Sequence, residues 1–414
     1  MKKPIAISLS PNTDKTDVAL AWKLLFSRSM REDAQVLSKV AHAISRRFEN
    51  RFVVLNSSGR QALYDLLRVM NIGLGDEVII QAFTCIAVPE PILWVGAKPI
   101  YADTIKDGYT VDVEDIRKKI TAKTKAIIIQ HTFGIPGPIN EVMQIAKEKN
   151  ILVIEDCAHA FGSKIGEKPV GTFADASFMS FGRDKSLSSV YGGACVVKSR
   201  THMEALHALA NKRSYAPSAW VLQQLLHPII FSIAVPLYYV FNIGKIIIIA
   251  GQKLGLLSKA VEAIEKQGRK PMFIEYKYSP ALAHLLLHQL SKVDAMNDRR
   301  RKIAERYMHE LSKTSGILPV TSQDSNPSWL RFPMLITNRT QVLFHARQQH
   351  MFLGDWYDAV LVPKIRNMDV FRYVNDSCPN AEDVASKVIN LPTYPTLTDT
   401  QVGQVIALIK QYAS

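Results

Sequence analysis

Cysteine is scarce in this chain, and what there is stands apart. Cys85, Cys157, Cys195 and Cys378 are scattered over 414 residues without a CxxC pair. That spacing excludes a disulfide framework and a cysteine-built zinc site, so no metal is expected and a reducing compartment fits. Internal repeats and low-complexity linkers are also missing. The opening MKKPIAISLSPNTDK has two lysines but only a brief apolar run, which makes a poor signal peptide and leads us to expect a cytoplasmic protein. Zinc fingers, RNP-like motifs and basic stripes with interleaved aromatics are absent, so the formal charge of +14 is not read as that of a nucleic-acid binder. The densest basic cluster, DRRRKIAERY at 298–307, alternates with acids and predicts a helix with Arg299–Arg301 and Glu305 facing solvent. One absence is local. Between Ala205 and Val261 there is no Asp or Glu, while Lys212, Arg213, Lys245, Lys253 and Lys259 are present.

What is present is an ordinary globular composition, 47% hydrophobic and 21% charged, in a chain long enough for two domains. From residue 52 to 200, strand-length apolar runs alternate with helical patterns: RFVVLN, EVIIQAF, KPIYAD, KAIIIQH, ILVIED, ASFMSF and GACVVK. This alternation predicts an α/β fold, a mostly parallel sheet flanked by helices. After about 290, a long helical pattern, WLRFPMLIT, a further helix and INLPTYPTLTDTQVGQVIALIKQY predict a smaller C-terminal α+β domain. The expected units are 1–213, a large cofactor-binding domain, 214–272, a hydrophobic helical insertion, and 273–414, the small domain.

Three strand ends carry candidate chemistry. ILVIEDCAHAFGS ends a buried strand in Glu155-Asp156, and SFMSFGRDKSLSSVYGG places Lys185 between a strand and a glycine pair. Ligand sites in α/β sheets form at such carboxyl ends. A lysine able to form a Schiff base, with a carboxylate for a pyridinium nitrogen, is what pyridoxal phosphate requires. NSSGRQAL at 56–63 puts small residues before a helix, and the amides and hydroxyls there, at Ser57 and Ser58, suit a phosphate.

With these stretches, GLGDEVIIQAFTCIA, GAKPIYAD, KTKAIIIQHTFGIPGPINEV, SFGRDK, RRRKIAERY and LPTYPTLT together resemble the DegT/DnrJ/StrS family of pyridoxal phosphate-dependent sugar aminotransferases, within the aspartate aminotransferase type I fold. The resemblance spans nearly the whole chain outside the insertion. It implies that Lys185 holds the cofactor and that Asp156 meets its ring nitrogen, with His159 beside the ring. It also implies that Ser58, Gly59, Arg60 and Ser180 bind phosphate. Position 85, where the family stacks an aromatic on the cofactor, is Cys85 here, and Gln81 replaces a proline; Phe83 is a candidate substitute ring. Tyr191 replaces the Glu of a glycine-rich turn. In EYKYSP, Lys277 replaces an asparagine that reaches the neighbouring subunit's phosphate, so a homodimer is implied. Members of the family with histidine at the lysine position are dehydratases, whereas Lys185 implies amino transfer, from glutamate to a nucleotide-linked keto-sugar in surface glycan or lipid-linked saccharide synthesis. The competing readings are a cofactor-bound non-catalytic regulator or scaffold, and an aminotransferase for a lipid-linked or non-sugar ketone.

The stretch WVLQQLLHPIIFSIAVPLYYVFNIGKIIIIAGQKLGLL, 220–257, is long enough to cross a bilayer. A single crossing would separate Lys185 from the C-terminal domain. Two crossings would bury Lys245 and meet Pro228 and Pro236. The expectation is a helical hairpin at the cytoplasmic face of an anionic membrane, its lysines on headgroups; the alternative is a patch buried in the dimer or against the core.

Overall fold

The structure is a computed structural model that describes residues 4–9, 12–365 and 367–413. All seven apolar runs form strands of one sheet: β1 Phe52–Asn56, β2 Glu77–Gln81, β3 Lys98–Ala102, β4 Thr124–Gln130, β5 Leu152–Asp156, β6 Ala176–Ser180 and β7 Gly193–Val197. Their spatial order is β1-β7-β6-β5-β4-β2-β3. The run from β6 through β3 is parallel, and β7 is antiparallel to both β6 and β1. Near-continuous apolar sequences such as AIII in β4 follow from this placement, because helices cover both faces of the sheet and these four positions are all buried.

The register brings the functional ends together. Gln130 pairs with Asp156, Ser180 with Gly193, and Gly193 with Asn56. Two glycines permit the closeness. A Cβ on Gly193 would lie 2.4 Å from the Ser58 carbonyl, and one on Gly59 would lie 2.9 Å from the Ser180 Cβ. Side chains there would push the start of the helix Gly59–Val69 off the sheet edge.

Beyond the sheet, the helix Val293–Leu311 leads to the strand Phe332–Leu335, antiparallel to Val388–Leu391, with the helices Arg339–Gln348 and Asp399–Tyr412 alongside. The last helix begins with a capping box, Thr398 and Gln401. Ile5–Ala6 pairs with Met351–Phe352 and so joins the C-terminal part.

One expectation about the basic cluster fails. Arg300 is fully buried, whereas Arg299 and Arg301 are half-buried and Glu305 is exposed. The cause is helical period: Arg300 lies three or four residues from Met296, Asn297, Ile303 and Ala304, on the inward stripe. Its guanidinium donates to Asn297 Oδ1 at 2.7 Å and to Asn12 Oδ1 and the Ser186 carbonyl at 2.9 Å.

The insertion does form a helical hairpin, with unequal arms. The first, Ser218–Ala234, tolerates Pro228 and packs on the helix Lys15–Phe26. Val221, Leu225 and Ile229 share a core with Ala21, Leu24 and Phe273. The second, Ile243–Lys253, is 11 residues long and exposes Ile246 and Ile249. Among the described residues no helix is long and apolar enough to cross a membrane. The inward face of the first arm is protein core, while Ile233 near its end is 51% exposed.

Candidate active site

Strand alternation separates the two acids that end β5. Glu155 points to the far side of the sheet, where the amides of Gly171, Phe173 and Ala174 donate to it. Asp156 points to a cavity at the carboxyl ends of the strands. Its Oδ1 accepts the Ala158 amide at 2.9 Å, and its second oxygen takes no hydrogen bond among the described residues. Burial pushes the Asp156 carboxyl up, while the Ala158 amide and the charge of Lys185 oppose the shift. Across the same cavity, burial pushes the Lys185 amine down, against the pull of Cys85 and Asp156.

The backbone at Lys185 is anchored from several sides. Its amide donates to the Gly182 carbonyl at 3.0 Å, and its own carbonyl accepts from Asn12 Nδ2 at 2.6 Å. The buried Arg300 holds both Asn12 and the carbonyl of Ser186. Sequence reasoning read Arg300 as a surface charge. Its helical stripe was the signal that could have found it.

Of the expected site residues, Ser58, Gly59, Arg60, Cys85, Asp156, His159, Ser180 and Lys185 line this cavity; Lys277 does not, and the Ser57 hydroxyl is turned away to the Phe273 carbonyl at 2.6 Å. His159 accepts the Phe133 amide on Nδ1 at 3.3 Å and lies 3.4 Å from the Tyr357 hydroxyl through Nε2. Burial, then the charges of Lys185 and Arg331, hold the imidazole well below its usual range and so neutral. Ser58 caps the helix Gly59–Val69 through the Gln61 amide. The amides of Gly59 and Arg60, in the first turn, have no intrahelical acceptor. The Arg60 guanidinium is committed elsewhere: it pairs with the buried Glu265, donates to the Ala260 carbonyl at 3.2 Å and lies over the Phe273 ring. Only the backbone of Arg60 is free to serve the phosphate position assigned to it.

One aromatic expectation is corrected. Phe83 packs against Tyr109, Phe133 and Tyr357 behind the cavity and does not line it. Among the rings that do line it is Trp356, stacked on His159 with centroids 5.6 Å apart and 5.2 Å from Lys185 Nζ. Trp356 and Tyr357 come from a loop about 170 residues after Lys185, and no local spacing announces them.

The far end of the insertion roofs the cavity. Arg183 donates to the Ser258 carbonyl at 2.6 Å, and the Tyr191 hydroxyl to the Lys259 carbonyl at 2.8 Å. Ala260 and Val261 complete the lining. Tyr191, the departure from the glycine-rich turn, thus ties the turn to this roof.

These residues fit pyridoxal phosphate. An amine and a carboxylate with a spare oxygen share one cavity beside a helix start that only glycines allow so close. The family model for DegT/DnrJ/EryC1/StrS aminotransferases matches residues 13–220 and 255–410. The chain belongs to this family. Its members' shared model skips 221–254, which contains most of the hairpin. Among curated relatives, the GDP-perosamine synthase of Escherichia coli O157:H7 is 28% identical over 377 residues, covering 89% of this chain and 90% of that protein. A dTDP-3-amino-3,6-dideoxy-alpha-D-galactopyranose transaminase of Aneurinibacillus thermoaerophilus is 27% identical over 357 residues, 86% of this chain and 84% of its own. Among solved structures, a Streptococcus pneumoniae protein in its PLP form superposes with a TM-score of 0.76 at 19% identity, covering 99% of this chain and 98% of that one. The protein is an aminotransferase dependent on pyridoxal phosphate, with the type I fold.

Lys277 stands apart. It lies in the short strand Tyr276–Lys277, paired with Ser214–Tyr215, its Nζ 5.7 Å from the Tyr215 ring centre.

Proposed function

We propose that this aminotransferase moves an amino group from glutamate to a keto-sugar carried on a nucleotide, in the synthesis of a surface glycan or lipid-linked saccharide. The observation that carries the reading is the pairing of Lys185 with Asp156 in one cavity; the names of the two sugar-nucleotide relatives support the substrate class. Pyridoxal phosphate, when bound, supplies an electrophilic carbon and an electron-accepting ring. Lys185 Nζ would hold it, be released when the amino donor takes its place, and then carry a proton to and from the substrate carbon. The lowered basicity of Lys185 suits that second task. Asp156 would keep the ring nitrogen protonated, and the neutral His159 would lie against the ring. Ser58, Ser180 and the amides of Gly59 and Arg60 would hold the phosphate. Cys85 would border the ring without stacking on it.

Lys277 does not meet this chain's cavity, which supports a homodimer in which it reaches the partner's site. The exposed second arm of the hairpin, with Lys245 and Lys253 and no Asp or Glu in its own sequence, supports peripheral contact with an anionic membrane face. That face would also suit a lipid-linked ketone as the second substrate.

The test is spectroscopic. The purified protein is expected to show a visible band that borohydride bleaches and glutamate shifts, and Lys185→Ala to lose both the band's bleaching and amino transfer. Turnover of Lys185→Ala at the parent rate would remove Lys185 from the mechanism.

A further inference from the structure

The stem that roofs the cavity is tied down by side chains alone. Residues 258–261 belong to no helix or strand and make no backbone-to-backbone hydrogen bond among the described residues. Three side chains reach them instead: Arg183 donates to the Ser258 carbonyl, Tyr191 to the Lys259 carbonyl and Arg60 to the Ala260 carbonyl. Arg183 also donates to Ser258 Oγ at 2.8 Å, and that hydroxyl donates to Gln224 Oε1 in the first arm at 2.7 Å. At the far end Glu265, fully buried, pairs with Arg60. Lys259, Ala260 and Ala263 are exposed. Gly255 and Gly268 flank the stretch, both at φ 71°, and a Cβ at Gly255 would meet nothing within 4 Å. A segment with glycine joints, an exposed outer face and no backbone ladder belongs to the least stable part of a fold.

The same ties engage two cations of the site. Arg60 and Arg183 both line the cavity, and the charge of Arg60 works against that of Arg183. What holds them there is the set of acceptors on the stem: the Glu265 carboxylate, the Ser258 and Ala260 carbonyls and the Ser258 hydroxyl. In the holoenzyme the cofactor's phosphate falls to the amides at the helix start, which leaves both guanidiniums for a second anion. Lifting the stem alone would strand Arg60 without Glu265, and a buried charge that loses its partner is costly. An incoming anion offsets that loss, and the planar fork of arginine suits phosphate oxygens in paired hydrogen bonds. Opening and anion binding are then one event. The diphosphate of a sugar nucleotide has a negative charge on each phosphate, one for each arginine, and the sugar it bears would reach inward to Lys185.

We propose that residues 258–265 form a strap that lifts as substrate enters, and that Arg60 and Arg183, released from it, bind the diphosphate of the sugar nucleotide. In the closed form Glu265 and the stem carbonyls take the diphosphate's place. The inference rests on the reading of the substrate as a nucleotide-linked sugar.

The test uses purified holoenzyme with GDP, UDP and dTDP as probes, and measures calorimetric affinity and the rate of tryptic cleavage after Lys259. A bound nucleotide should speed that cleavage in the parent. Glu265→Gln, which unlatches the strap, should speed it without nucleotide and tighten the nucleotide about 5-fold or more. Arg183→Met should speed cleavage too, yet weaken the nucleotide about 10–100-fold, the range for losing hydrogen bonds to a charged group; Arg183→Lys should recover part of that loss. The opposite signs of the two affinity changes separate an exchange of partners from a loss of structure. Ser258→Ala, which loosens the strap without stranding a charge, takes the place of Glu265→Gln if that form melts early. Nucleotide that protects Lys259 or leaves its cleavage unchanged would overturn the proposal, as would parental affinity in Arg183→Met. A parent that binds none of the three nucleotides would instead remove the nucleotide-sugar reading on which the proposal rests.

Discussion

The two most apolar regions of the chain behave differently. In the sheet, runs such as AIII of β4 are buried completely, because a neighbouring strand lies on each side and helices cover both faces. In the hairpin, the equally apolar IIII of the second arm leaves Ile246 61% and Ile249 55% exposed. Hydrophobicity is the same in kind; the number of neighbours is not. A strand in a parallel sheet recruits partners through its own backbone, whereas a two-helix hairpin offers only one packing face, and here the first arm takes that face against Lys15–Phe26. What remains outward on the second arm is apolar surface unusual for a monomer. The two regions still meet, since the stem of the hairpin roofs the cavity that the sheet ends create.

The strongest test of the sheet side is Asp156→Asn. It should preserve the fold and slow turnover on the order of a hundredfold or more, the effect of removing one preorganised electrostatic partner. A steady-state rate equal to the parent's would reduce Asp156 to a structural carboxylate. The hairpin arms can be set against each other next. Leu225→Ala, in the buried first arm, should cost about 2–5 kcal/mol in denaturant unfolding. If instead its midpoint matched the parent's, the first arm would not be core.

A titration on the sheet side is expected from Glu90, which is fully buried with neither oxygen partnered. Burial pushes its carboxyl up from 4.5 to about 8, against the opposing charge of Arg60. With a raised folded-state pKa, the folded protein holds a proton that the unfolded chain has already released. Stability is therefore lost as pH rises from about 4.5 to about 8 and levels off above that. Glu90→Gln should match the parent near pH 4.5 and gain on it steadily up to pH 8 in thermal melts; a pH-independent difference would show that Glu90 is not titrating there.

The smallest effect on stability should come from the exposed arm. Ile246→Ser with Ile249→Ser should change unfolding by about 0.5 kcal/mol or less while reducing flotation with anionic vesicles. Equal flotation of parent and variant, or none by either, would remove the membrane contact and leave the second arm to be covered by protein.

Sequence periodicity alone was enough to specify the seven strands, the α/β class and the placement of Asp156 and Lys185 at strand ends, because each depends on local pattern and on a register that buries apolar faces. Family resemblance added the aminotransferase chemistry. Several features depended on contacts between residues far apart in the chain. Arg300 reads as surface charge in RRRKIAERY until the helix is docked and its stripe turns inward. Arg60 reads as a phosphate ligand until Glu265 arrives from the far side of the insertion. Trp356 and Tyr357 reach the site from the C-terminal part, and the hairpin's arms acquire different fates only when one of them finds the N-terminal helix. Local pattern specifies which face of an element is apolar. What that face meets is a property of chain segments hundreds of residues apart, and only their packing decides it.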